Sequence, residues 1–141
     1  MISKSKYAIN DYDGAIEACN RALELNPVVI DGYFNRAIAH QKLQNYESAI
    51  DDYTQSIALD NNLFNCYFNR GLAYYNLEEY ETAIEDFDKA ADIDFGKANT
   101  FYYRGLSKFE LFMFDEGCVD LKIALALGKE EALEEMIDYC D

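Results

Sequence analysis

The sequence contains no tryptophan, a single proline, a single histidine and seven glycines in 141 residues. So little proline and glycine excludes the turn-dense architecture of a β-sandwich or barrel. Basic residues are also few, with 12 Lys and Arg against 27 Asp and Glu and a formal net charge of −15. A surface this acidic repels phosphate backbones and anionic headgroups, so neither nucleic acid nor membrane is an expected partner. No apolar run exceeds that of Ile123 to Leu127, whereas a membrane span needs about 18 or more residues. The start, Met1-Ile2-Ser3-Lys4-Ser5-Lys6, lacks the apolar core of a signal peptide. Cys19, Cys66, Cys118 and Cys140 form no CxxC pair, and His40 alone cannot complete a Cys/His metal site. No metal or other cofactor is expected. The reading is of buried thiols in a reducing, cytoplasmic compartment.

Apolar residues, by contrast, make up half of the chain, and aromatics reach 15%, with 12 Tyr and 9 Phe. A disordered tail would be poor in both. The length suits one domain with a real core.

Shifted by 34 positions, the sequence falls on itself. Tyr33-Phe34-Asn35-Arg36-Ala37 meets Tyr67-Phe68-Asn69-Arg70-Gly71 and then Phe101-Tyr102-Tyr103-Arg104-Gly105. Tyr12, Tyr46, Tyr80 and Phe114 align, as do Ala15, Ala49, Ala83 and Gly117. Within residues 64–97, Tyr67, Gly71, Tyr74 and Leu77 mark one helical face, and Tyr80, Ala83, Ile84, Phe87 and Ala90 mark a second. Each period is therefore two helices, and no strand-like alternation interrupts them. The spacing predicts helices near 13–25, 30–43, 47–59, 64–77, 81–93, 98–111, 115–127 and 130–139, preceded by the tail of another within the first nine residues.

The pattern Tyr67-x2-Arg70-Gly71-x2-Tyr74 followed by Ala83-x3-Phe87 resembles the tetratricopeptide repeat. Arg stands where the family has Leu, and its closing Pro survives only as Pro27. The resemblance covers the whole chain and implies an all-α, right-handed α-solenoid of stacked helix-turn-helix repeats. It reads as a single domain, 1–141, with a truncated first repeat at 1–29 and full repeats at 30–63, 64–97 and 98–131. A C-terminal capping helix at 130–141 follows, carrying Ala132, Leu133, Met136, Ile137 and Cys140 at helical spacing. The start, lacking a cap, is a candidate for self-association.

In this family the first helix of each repeat lines a concave surface that holds a peptide or helix of a partner protein. The corresponding face here carries Phe34, Asn65, Phe68, Tyr75, Asn99, Tyr102 and Phe109, edged by Asn35 and Asn69. Asn side chains donate to and accept from a peptide backbone, and aromatic rings hold apolar side chains with little loss of rotamer freedom. These nine residues are the candidate partner-binding groove, with their rings expected to be exposed. The alternative is that Phe34, Phe68 and Tyr102 pack between neighbouring first helices. Family members that grip acidic chaperone tails use a clamp of Lys, Asn, Asn, Lys and Arg. Asn35 matches one Asn of it, but Asn65 and Asn69, or Asn99 and Tyr103, stand where cations are required. An acidic tail is therefore not the expected ligand.

Arg36, Arg70 and Arg104 could suggest a phosphate-binding row. Asp52, Asp86 and Asp120, sharing the same spacing, offer them structural partners within each repeat. The acidic stretches Glu78 to Asp94 and Glu130 to Glu135 lack calcium-loop spacing and read as solvated faces, or secondarily as a surface for a basic partner. No catalytic motif is present, and an enzyme is not expected. The function implied is a protein-interaction scaffold. The other reading is a structural spacer or self-associating solenoid module without a peptide ligand.

Overall fold

The stripes of apolar residues fold as helices whose bounds follow the 34-residue period. The computed structural model describes residues 11–140, and the helix tail expected within the first nine residues lies outside them. Eight helices run through the described residues: α1 Tyr12–Leu25, α2 Ile30–Lys42, α3 Tyr46–Leu59, α4 Phe64–Asn76, α5 Tyr80–Ile93, α6 Ala98–Glu110, α7 Phe114–Ala126 and α8 Ala132–Tyr139. No strand occurs among the described residues. The chain forms two compact units, one ending at Asn61 and the next starting at Asn62.

Each two-helix repeat turns through the same backbone device. Gln44, Glu78 and Phe112 adopt the left-handed conformation, with φ of 62°, 61° and 61°. The next residue's N–H then reaches back five positions: Asn45 to the His40 carbonyl at 2.8 Å, Glu79 to Tyr74 at 2.9 Å, Met113 to Lys108 at 2.8 Å. This is a Schellman closure, which satisfies carbonyls that a helix end leaves free. It occurs here without the usual glycine. Gly128, with φ 105°, closes α7 in the same way.

In the first unit, Ala37, Ala49 and Tyr53 are buried together, with Phe34 and Ile38 packed against them. Leu23 of α1 lies over Gly32 so closely that a Cβ there would come within 2.8 Å of it. In the second unit, the same relation joins Phe87 to Gly71, also at 2.8 Å. A Cβ on Gly105 would stand 3.0 Å from the Gly117 carbonyl oxygen, so α6 and α7 meet nearly backbone to backbone. The small residues of the repeat thus set the helix spacing, and the aromatics fill what remains.

Two expectations need correction. Cys118 and Cys140 are joined in a disulfide, leaving Cys19 and Cys66 as the free thiols among the described residues. The bridge ties α7 to the end of α8, a contact between positions 22 residues apart that linear spacing does not display. The cap itself forms, but only one side of its apolar set is covered. Ala132 is buried and Met136 and Cys140 pack on the core, while Leu133 is 50% and Ile137 73% exposed.

Candidate functional site

In the second unit, the first turns of α4 and α6 and the loop before α6 enclose an open cleft of about 390 Å³. Its lining includes Phe64, Asn65, Phe68, Asn69, Lys97 and Asn99. Four of the nine expected groove residues therefore come together: Asn65, Phe68, Asn69 and Asn99. They do so because positions 65 and 99, one period apart, fall on equivalent faces of α4 and α6. Asn65 and Asn99 are exposed.

A chain of rings leads away from this cleft. Phe64 stacks on Phe68 at 5.6 Å, and Phe68 meets Tyr103 at 6.4 Å. Tyr103 touches both Tyr75 at 5.6 Å and Tyr102 at 5.2 Å, and Tyr75 continues to Tyr80 at 5.6 Å. Most of these pairs are edge-to-face, the geometry favoured by the ring quadrupole. All six rings are half-buried, presenting part of each surface to solvent. Burial, with Tyr80 and Glu110 next in importance, pushes the Tyr75 hydroxyl up to about 12. Burial also raises Tyr102, assisted by Glu135, Tyr103, Glu131 and Glu134. The ammonium of Lys129 sits 5.0 Å from the Tyr102 ring centroid.

Phe109 is a correction. Expected as an exposed groove ring, it is 7% exposed and belongs to the core with Phe101, Cys118 and Leu121. It lies over Gly117, where a Cβ would approach it to 2.5 Å, and Tyr139 of α8 covers it at 4.8 Å. The glycine opens a seat that the family's alanine would close. Phe34 and Asn35 stand in the first unit, where Phe34 packs edge-on to Tyr53 at 6.0 Å and Asn35 is exposed. Tyr103, not among the nine expected groove residues, is the ring that joins Phe68, Tyr75 and Tyr102. The available signal was an aromatic in the column that holds Asn35 and Asn69.

The arginine column is structural. Arg36 binds Asp52 through Nε and Nη2 at 2.8 and 2.7 Å, Arg70 binds Asp86 at 2.8 and 2.8 Å, and Arg104 binds Asp120 at 2.9 and 2.7 Å. Two parallel bonds hold each fork rigidly. The hydrogen bond to Asp86 raises the Arg70 guanidinium above its ordinary range, with burial opposing. No cluster of His, Cys, Asp and Glu among the described residues is arranged to hold a metal ion. No helix among them is long and apolar enough to cross a membrane.

Models of the tetratricopeptide repeat match residues 1–28 and 64–95, and a TPR repeat model matches 42–78. The chain belongs to the tetratricopeptide repeat family, and its fold is an α-solenoid of stacked helix-turn-helix units. A crystal structure of MamA is similar, with a TM-score of 0.83 and 26% identity, over 92% of this chain and 75% of that one. The second TPR domain of human RPAP3, solved with the HSP70 peptide SGPTIEEVD, has a TM-score of 0.73 and 29% identity over 77% and 92% of the two chains. The first TPR of Spaghetti (RPAP3), bound to the HSP90 peptide SRMEEVD, shares the fold at a TM-score of 0.75 and 24% identity, over 78% and 89%. No curated protein sequence matches the chain.

Proposed function

We propose that this protein is an interaction scaffold that holds a segment of a partner protein along the α4–α6 face of its second unit. The observation that carries the reading is the convergence of Asn65, Phe68, Asn69 and Asn99 on one cleft that continues into a half-exposed run of rings. Carboxamides there bond the main chain of an extended segment, and rings seat its alternate side chains. The peptide bound by the similar RPAP3 domain supports the class of ligand. Phe109 is left out of the groove because α8 covers it.

A displayed peptide library selected on the protein tests this. Selected peptides should lose about tenfold or more in affinity, about 1.4 kcal/mol, on Asn65→Ala with Asn99→Ala, while the melting temperature stays put. Peptides that bind the double variant as well as the parent would remove the cleft from the site.

A solenoid module that stacks on its own kind is the second reading. The exposed Leu133 and Ile137 of α8 favour it, since apolar side chains at an outward helix face are what a neighbouring repeat covers. Under it, sedimentation would show concentration-dependent dimers that Leu133→Glu with Ile137→Glu abolishes.

A further inference from the structure

The aromatic face of the second unit carries acidic groups along its far edge. Residues 62–141 hold 18 Asp and Glu against 7 Lys and Arg. The guanidinium groups of Arg70 and Arg104 and the ammonium of Lys108 are bound to Asp86 and Asp120, so those charges are already neutralised. Around the rings the balance is more one-sided. Glu78 and Glu110 act on the Tyr80 hydroxyl, Glu110 also acts on Tyr75, and Glu131, Glu134 and Glu135 act on Tyr102. Lys97 lies at the opposite end, in the cleft beside Asn99.

The chain itself supplies a cation to this face. Lys129 places its ammonium over Tyr102 at 5.0 Å while standing 3.4 Å from Glu131. A ring face with a carboxylate beside it is the arrangement that attracts an ammonium or guanidinium from two sides. Tyr75 and Tyr80, edge-to-face at 5.6 Å, form the same kind of surface, with Glu110 acting on both and Glu78 on Tyr80, and among the described residues no Lys or Arg lies over either ring.

We infer that the partner segment is basic: its Lys or Arg side chains lie on Tyr75 and Tyr80 beside Glu78 and Glu110, and its apolar side chains on Phe68 and Phe64. The inference rests on the reading of this face as a peptide groove and names the chemistry of its ligand. It is the inverse of a clamp for acidic tails, since the carboxylates belong to the receptor. The basic end of the segment points toward Glu110 and away from Lys97.

Three synthetic nonapeptides alternating Leu with Lys, with Ser or with Glu separate the outcomes, titrated calorimetrically onto the whole chain at low and moderate salt. The Lys peptide should bind at least tenfold more tightly than the Ser peptide, weaken as salt rises, and lose most of that advantage on Glu78→Gln with Glu110→Gln. The pair is safe to change because both carboxylates are exposed and Gln44 already occupies the backbone conformation of Glu78 one repeat earlier. Equal binding of the Lys and Ser peptides, or preference for the Glu peptide, would overturn the basic partner and leave the groove standing. Binding of the Lys peptide that the double variant does not change would also overturn it. If none of the three binds, and the library selection also yields nothing, both readings fall.

Discussion

Arg104 grips Asp120 through two bonds, Nε to Oδ2 at 2.9 Å and Nη2 to Oδ1 at 2.7 Å, and Lys108 adds a third contact at 2.9 Å. The carboxylate is 2% exposed, so it is satisfied only by these cations. Asp120→Ala strands Lys108 and leaves Arg104 only its 2.9 Å bond to the exposed Asp88, and the expected loss is about 3 kcal/mol, read from urea unfolding. In the preceding repeat, Arg70→Met combined with Asp86→Leu should recover most of what Asp86→Ala alone loses, because no unpaired charge remains. That recovery is the outcome expected if the pairs set the register between the helices of a repeat and add little net stability.

Phe109→Ala empties a core position between Gly117 and Tyr139 and should cost about 3–5 kcal/mol. Differential scanning calorimetry checks it. Tyr102→Ala, at a half-exposed ring, should cost far less. Comparable losses would show that Tyr102 is as much a core residue as Phe109.

Gln44 holds a left-handed backbone conformation that glycine adopts without a Cβ clash. Its side chain is exposed, so Gln44→Gly removes strain and little else. Stability should rise by about 1 kcal/mol, measured by chemical denaturation. A fall would mean that the Gln44 side chain contributes contacts of its own.

Cys140→Ser opens the bridge to Cys118 and frees the end of α8. Closing a loop of this length restricts the unfolded chain by about 3 kcal/mol, and a comparable loss is expected. Amide exchange should quicken in α8 first, since without the bridge only Ala132, Met136 and the Tyr139 ring on Phe109 and Phe114 hold it in place. Uniform quickening through α4 to α7 would contradict a local tether.

Tyr75 should titrate late. With its hydroxyl pushed up to about 12, its neutral form is favoured by the fold relative to an unfolded tyrosine at 10.0. The contribution is complete below pH 10 and is lost as pH rises from there through about 12. Phenolate absorbance of the parent minus Tyr75→Phe should place this one group above the other tyrosines. A difference spectrum centred near pH 10 would place Tyr75 in water.

Much of the helical scaffold was legible in the sequence. The observed α5, Tyr80–Ile93, matches the stripe of Tyr80, Ala83, Phe87 and Ala90, because helical periodicity depends on residues only a few positions apart. The Arg36, Arg70 and Arg104 column pointed to Asp52, Asp86 and Asp120 for a related reason: a constant offset within a repeat becomes a constant distance in space. The convergence of Asn65 and Asn99 on one cleft follows from that same period.

Phe109, the disulfide and the outer face of α8 depended on what lies across the fold. Phe109 sits at the same repeat position as Tyr75, yet one ring is core and the other half-exposed. The difference comes from Gly117, which makes room for the ring, and from Tyr139, which α8 lays over it. Cys118 and Cys140 meet only once α8 has folded back against α7. Helical periodicity is a local property and survives in one dimension, whereas burial is decided by whichever distant segment arrives to exclude water.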